Sequence, residues 1–251
     1  MTKVILSGCF GHMGKVITDC VRNRADCEIV AGVDIGGGVA DYPVFKSFSD
    51  LNVNGDVIID FSHPSVLDGL LDYATAHKCA AVVATTGLAD EQVSKLKDAA
   101  KVIPLFFSAN MSIGVSLISE LAAKAARVLE GAFDIEIVEM HHNQKIDAPS
   151  GTALMLADSI SDALSEKPHY EFDRHSKRAK RDPHEIGIHA VRGGTIVGEH
   201  EIIFAGLDEV IKISHSARSK NLFAVGAVNA GVFLKDKEAG FYTMKDLIAG
   251  K

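Results

Sequence analysis

The chain opens with a short apolar run, Val4-Ile5-Leu6, closed by Ser7 and Gly8. A run of that length ending at glycine reads as a buried strand. Met13, Val16, Ile17, Cys20 and Val21 then recur at helical spacing, which predicts a helix over 13–24. The alternation continues, with strands predicted at 28–33, 56–60, 80–84 and 102–107 and helices at 65–76 and 90–100. Strands alternating with helices imply βαβ units and a parallel sheet. Their near-continuous apolar content fits a sheet covered on both faces.

Beyond residue 110 the period changes. A long helix is predicted over 112–129, with Ile113, Leu117, Leu121 and Ala125 on one stripe. Phe133, Ile135 and Ile137 then alternate with polar residues, as do Ile186, Ile188 and Ala190, and later Ile202, Phe204, Val210, Ile211 and Ile213. Period two with one polar face describes an open sheet with a solvated or interface side. A helix over 152–164 interrupts these strands, and a second follows at 221–234. The polar stretch 165–185 reads as a long loop. The expected architecture is α/β: a Rossmann-like parallel-sheet domain over 1–110 and 221–251, with an inserted α+β domain over 111–220 built on an open mixed sheet.

Composition narrows the function classes. The 251 residues are 47% apolar and 24% charged, ordinary for a globular chain. No run approaches the ~18 apolar residues of a membrane span, and the N-terminal apolar run is too short for a signal peptide. A cytoplasmic protein without membrane partners is expected. The net charge of −7 makes a general nucleic-acid binder a poor fit, since that affinity comes largely from phosphate neutralisation. The basic run Arg174, Lys177, Arg178, Lys180 and Arg181 accordingly reads as a solvated loop. Cys9, Cys20, Cys27 and Cys79 lack CxxC spacing, which argues against a disulfide framework or a thiolate zinc site.

Chemistry enters first at Gly8-Cys9-Phe10-Gly11-His12-Met13-Gly14, between the first strand and the first helix. Glycines there let a backbone approach a pyrophosphate, and the helix start offers N–H groups and a positive dipole end. The spacing GxxGxxG differs from the usual G-x-G-x-x-G. Asp34, at the end of the second strand and about 20 residues past Gly14, is placed to accept hydrogen bonds from a ribose hydroxyl. Two more loops leave strand ends: Ala84-Thr85-Thr86-Gly87 and Ser108-Ala109-Asn110-Met111-Ser112. Ligands of open α/β sheets sit at that edge. The cofactor expected is a nicotinamide dinucleotide. Asp34 is followed by Ile35 and three glycines, with no cation to hold a 2′-phosphate, so NADH is expected to be preferred over NADPH.

The most informative stretch is Glu139-Met140-His141-His142-Asn143-Gln144-Lys145-Ile146-Asp147-Ala148-Pro149-Ser150-Gly151-Thr152-Ala153. Two histidines and a lysine within five residues supply general acids. Ser150, Gly151 and Thr152 stand at a helix start, where N–H groups bind carboxylates. A zinc site is the rival reading, but HHxxK lacks the i, i+4 histidine pair of a zinc helix and its lysine would repel the ion. No metal is expected.

With these residues in view, the sequence resembles the 4-hydroxy-tetrahydrodipicolinate reductase (dihydrodipicolinate reductase) family over nearly its whole length. The resemblance rests on Gly8-x-x-Gly11-x-Met13-Gly14, Asp60-Phe61-Ser62-His63-Pro64, Thr85-Thr86-Gly87, Ala109-Asn110-Met111-Ser112-Ile113-Gly114, Arg192-Gly193-Gly194 and Gly198-Glu199-His200. It rests most heavily on Glu139-x-His141-His142-x-x-Lys145-x-Asp147-Ala148-Pro149-Ser150-Gly151-Thr152-Ala153. It implies hydride transfer from a nicotinamide to a cyclic imine dicarboxylate, with loss of water, in the diaminopimelate route to lysine. It also implies that His141 and Lys145 are the acids, with Lys145 ahead of His141 as the proton donor, that His142, Gly151 and Thr152 hold a substrate carboxylate, and that the chain forms a homotetramer.

Two positions depart from the family pattern. His12 stands where many members carry Arg, in keeping with NADH, and Lys220 replaces an Arg, losing the bidentate fork. Two competing readings share the N-terminal half: an amino-acid dehydrogenase such as an aspartate dehydrogenase, and a dinucleotide sensor without catalysis. Neither requires the His-His-x-x-Lys segment.

Overall fold

The structure is a computed structural model that describes residues 1–250. Its elements run in chain order β1 (Thr2–Ser7), α1 (His12–Arg22), β2 (Cys27–Val33), β3 (Val44–Phe45), β4 (Val57–Asp60), α2 (Leu67–His77), β5 (Ala80–Val83), α3 (Asp90–Ala99), β6 (Pro104–Phe107), α4 (Ile113–Leu129), β7 (Asp134–His141), α5 (Gly151–Ser161), β8 (His169–Glu171), β9 (Glu185–Arg192), β10 (Gly198–Ala205), β11 (Val210–Ala217), α6 (Asn221–Leu234), β12 (Gly240–Tyr242) and α7 (Met244–Ala249). They form two compact units, Met1–Ile113 with the segment from Asn221 onward, and Gly114–Lys220.

The first unit is a seven-stranded sheet in the order β12-β6-β5-β4-β1-β2-β3, every pairing parallel. Strands β4 and β5 are buried along their whole length, and apart from Asp60 at the end of β4 their residues are apolar, as a sheet covered on both sides requires. On one face α1 and α6 close a core of Val4, Leu6, Ile17, Val57, Ile59, Phe106 and Val228. On the other, α2 and α3 cover Ile5, Ile58, Leu70, Ala81, Leu96 and Leu105. α6 crosses close enough to Met111 that a Cβ at Gly226 would overlap the Met111 carbonyl.

The second unit is a five-stranded mixed sheet, β11-β10-β7-β9-β8. β10 pairs antiparallel with β7 and β11, while β9 pairs parallel with β7 and β8. Ile135, Ile137, Ile186, Ile188, Ile202 and Phe204 lie on one face and form a core with residues of α4 and α5. This is the period-two pattern of the sequence made physical.

Three local expectations change. The buried stripe of α4 is Val115, Ile118, Ser119, Ala122 and Ala126, and Leu117 and Leu121 are 44% and 47% exposed. Both stripes are apolar, and the one rich in alanine allows the closer approach to the sheet. The stretch 165–185 is not all loop, because His169–Glu171 adds a strand to β9. Two short edge strands, β3 and β12, carry too few residues to show a period.

Candidate active site

In the first unit the predicted cofactor residues gather at the C-terminal edge of the sheet. Gly8 has φ +78°, and a Cβ there would lie 2.5 Å from the Phe61 carbonyl oxygen. A Cβ at Gly14 would overlap the Gly8 carbonyl and the Cys9 backbone. The loop is thus packed backbone against backbone. Gly11 caps α1 with no side-chain hydrogen bond, and no acid lies in the first turn, which begins at His12. That leaves the positive helix end for an anion. Asp34 braces the loop: its carboxylate accepts the Phe10 N–H at 2.8 Å and the Gly36 N–H at 2.7 Å. Cys9 turns its side chain into the core, where burial and then the Asp34 charge push the thiol up to about 11, so it offers only its backbone.

The same edge holds a cation that the local sequence around Asp34 does not contain. β3 pairs with β2 through Val33 and Phe45, and the Asp34 N–H donates to the Phe45 carbonyl at 2.9 Å. Lys46 is therefore set beside the loop after Asp34, its Nζ donating to the Ile35 and Gly36 carbonyls at 2.9 Å each.

Further along the edge, Met13, Ala84, Thr85, Thr86, Ala109 and Met111 line a cavity of about 280 Å³ together with Phe61, Ser62 and Phe223. Its wall is tied by Asp60 at the end of β4. Asp60 is 2% exposed, and its carboxylate accepts from Ser62 Oγ at 2.5 Å and Thr85 Oγ1 at 2.6 Å. Burial pushes this carboxyl up, against the hydrogen bonds from Ser62 and Thr85. Ser108 and Asn110 bend the neighbouring loop, with Ser108 Oγ donating to the Asn110 carbonyl at 2.7 Å. A close-packed glycine loop, an uncapped helix start and an acid at the second strand fit a dinucleotide.

In the second unit β7 delivers Glu139 and His141 to one face, two residues apart. Glu139 is fully buried, and its carboxylate accepts from His141 Nδ1 at 2.6 Å, from two Arg192 nitrogens at 2.7 Å each and from the Ser150 N–H at 3.0 Å. Burial opposes its charge, but these donors prevail and hold it below the usual carboxylate range. The Lys145 ammonium bonds both oxygens of Asp147, at 2.7 and 2.9 Å. Arg192 also donates to the Asp147 carbonyl at 2.6 Å. His141, Glu139, Arg192, Asp147 and Lys145 thus form one continuous polar chain.

α5 begins within this group. Ser150 caps it by accepting from the Ala153 N–H at 3.2 Å, with Gly151 and Thr152 as its first residues. Ser150 Oγ lies 3.1 Å from Nε2 of the buried His200, whose ring meets that of His141 edge-on at 5.2 Å. Burial, and then the proximity of His141, push His200 down to about 4. His142 is half-buried beside the group, its carbonyl accepting the Lys145 N–H.

The basic run is not merely solvated. Arg181 reaches Asp134 at 2.8 Å and Glu136 at 3.0 Å, Arg174 pairs with Glu185, and Lys177 pairs with Glu171. These cations answer acids of β7, β8 and β9. His169, Glu171 and Glu185 lie close enough together to face one ion, but two of the three are engaged by these cations.

A sequence profile described as dihydrodipicolinate reductase, N-terminus, matches residues 2–111, and one described as dihydrodipicolinate reductase, C-terminus, matches residues 114–248. The chain belongs to the dihydrodipicolinate reductase family. It is 50% identical over 248 residues to a 4-hydroxy-tetrahydrodipicolinate reductase of Caldanaerobacter subterraneus subsp. tengcongensis, covering 99% of this chain and 98% of that one. It is 47% identical over 252 residues to the enzyme of that name in Clostridium novyi, covering 100% of both. Among solved structures, a dipicolinate-bound dihydrodipicolinate reductase from Paenisporosarcina sp. TG-14 matches with a TM-score of 0.82 and 26% identity over 97% of each chain. An aspartate dehydrogenase from Thermotoga maritima matches with a TM-score of 0.52 at 13% identity over 95% and 98% of the chains, a likeness of fold alone. No helix among the described residues is long and apolar enough to cross a membrane.

Asp60, Ser62, Glu139, Arg192 and His200 entered the sequence reading only within family motifs and Ser150 only as part of a helix start, with no contact assigned to any of them, while Phe223 was not singled out. The signal for Glu139 was its i, i+2 spacing to His141 on a predicted strand. Arg192 and His200 stood in family motifs, but nothing near them in sequence signalled their contacts to Glu139 and Ser150, since both arrive through strand pairing.

Proposed function

We propose that this chain catalyses the reduction of 4-hydroxy-tetrahydrodipicolinate, with loss of water, to tetrahydrodipicolinate in lysine and diaminopimelate biosynthesis. The observation that carries the reading is the polar chain from His141 to Lys145 at the head of α5, in a member of this family. The dinucleotide is held by Gly8, Cys9, Phe10, Gly11, His12, Met13 and Asp34 through the glycine loop, and by Ala84, Thr85, Thr86, Ser108, Ala109, Asn110 and Met111 at the neighbouring strand ends. When bound, it supplies the hydride.

The substrate is a dianion, so a carboxylate is received by His142 and by the Gly151 and Thr152 amides, where the helix end is positive. Reduction leaves an electron-rich enamine carbon, and a positioned acid quenches it. Lys145 is that donor and His141 its partner, with Glu139 accepting the Nδ1 proton so that His141 Nε2 is the working nitrogen. NADH is preferred because an acid, Asp34, stands at the end of β2 beside the glycine loop, and Lys46 leaves NADPH usable.

We further propose a cytoplasmic homotetramer assembled through the second unit. The sheet face opposite α4 and α5 carries Val138, Met140, Val191, Ile203 and Val210 by strand register, with Val191 and Val210 43% and 56% exposed. Light scattering should give about four times the 26.8 kDa chain mass. The test of function is NADH oxidation in the presence of dihydrodipicolinate synthase, pyruvate and aspartate semialdehyde. A rate no greater than in a control lacking this protein overturns the reading.

A further inference from the structure

Arg192 stands directly across from His141 in the parallel pairing of β7 and β9. Its guanidinium takes both oxygens of Glu139 in a fork, at 2.7 Å each. A planar fork of this kind fixes the carboxylate in orientation as well as in charge. The carboxylate so fixed accepts the Nδ1 proton of His141, which turns Nε2 over Gly198, where a Cβ would lie 3.0 Å away. The same guanidinium donates to the Asp147 carbonyl, and the Asp147 carboxylate holds Lys145. One side chain thereby touches the partner of each proton donor.

We propose that Arg192 is a positioning residue that fixes the imidazole of His141 through Glu139 and the ammonium of Lys145 through Asp147, registering the two acids against each other. The proposal rests on the reading of His141 and Lys145 as the acids. Glu139 and Arg192 act on His141 with opposite sign: the carboxylate favours the imidazolium, and the guanidinium attenuates that carboxylate. The other ionisable groups around His141 are His200 on β10, with His215 paired to it from β11, and the Lys145–Asp147 pair. His200 stays neutral near pH 7, and the Lys145–Asp147 pair is internally compensated.

The sign difference makes the test specific. Arg192→Gln should lower kcat at least tenfold, leave the Kd for NADH within twofold and move the pH–rate limb set by His141 to higher pH. Glu139→Gln should move that limb to lower pH. Nitrogen-15 NMR of the histidine rings should show His141 held as the Nδ1–H tautomer in the wild type and as a mixture in Glu139→Gln. Removing Arg192 alone strands a buried carboxylate and can unfold the chain; the paired Glu139→Gln, Arg192→Gln variant removes both charges. In that pair the limb should lie below its wild-type position and the tautomers should mix. Unmoved limbs in the folded variants, or a single Nδ1–H tautomer in the pair, overturn the proposal. Full turnover by His141→Asn and Lys145→Ala would instead show that the reading of the acids is at fault.

Discussion

Lys145 Nζ lies 2.7 and 2.9 Å from the two carboxylate oxygens of Asp147, and only 22% of the lysine side chain is exposed. The pair holds the ammonium in place before any substrate arrives. Asp147 is the more exposed partner, at 57%, so its carboxylate can yield to a substrate carboxylate while the ammonium stays.

Lys145→Ala should therefore reduce kcat on the order of 10²-fold or more, the usual worth of a positioned general acid. Asp147→Ala should be milder, since the cation remains. NADH affinity, measured by fluorescence titration, should stay within twofold in both. Wild-type turnover by Lys145→Ala would refute its role.

The proposed preference for NADH rests on Asp34 and Lys46. Asp34 stands at the end of β2 with its carboxylate on the Gly36 N–H, and Lys46 lies beside the loop that follows it. kcat/KM should be higher for NADH than for NADPH; a tenfold advantage for NADPH would contradict this. Lys46→Met should raise the Kd for NADPH about fivefold and leave that for NADH within twofold, because only the phosphate offers the ammonium a partner.

The glycine loop admits no side chain at Gly14. An alanine Cβ would meet only backbone, which cannot swing aside. Gly14→Ala should cost about 2–3 kcal/mol, in the range of overpacked sites. It should also abolish NADH binding by displacing the start of α1. Thermal unfolding and titration read both effects, and an unchanged melting point would show that the loop can spread.

Stability should fall between neutral and mildly acid pH because of His200. Burial, and then nearby His141, hold its folded value at about 4 against 6.5 for an ordinary imidazole. Between those values the unfolded chain binds more protons than the folded one, so stability is present above pH 6.5 and is lost as pH falls toward 4. The shift is worth up to about 3 kcal/mol. Glu136 and Glu139 are both held low by hydrogen bonds against the opposing effect of burial, and they lose their contribution only as pH falls below about 4.5. Urea midpoints at pH 7.5 and 5.5 should differ in the wild type and differ less in His200→Gln, where His215, also pushed down by burial, remains.

Much of this was legible along the chain. Val57-Ile58-Ile59 and Ala80 to Val83 are strands of a covered sheet because every side chain there is apolar. Ile135 and Ile137 announce one buried face because their neighbours are polar. The glycine loop and the segment from Glu139 to Ala153 are local, and their residue types nearly define their chemistry. The orientation of α4 was not legible: Leu117 and Ala122 lie on stripes of similar apolarity, and only packing against a particular sheet chooses between them. The basic run likewise reads as solvated until β8 and β9 bring Glu171 and Glu185 to it.

The sequence by itself thus determined the two-part architecture, the glycine loop between β1 and α1 and the polar segment from Glu139 to Ala153. These depend on periodicity and on neighbours a few positions apart, which a chain displays whether or not it is folded. Only the tertiary structure decided that Lys46 borders Asp34, that Arg192 grips Glu139 from 53 positions away and that His200 stands against His141. Those contacts are set by strand register, and register is a property of the whole sheet: it is fixed when all the apolar faces are buried at once, and no short stretch of sequence carries it.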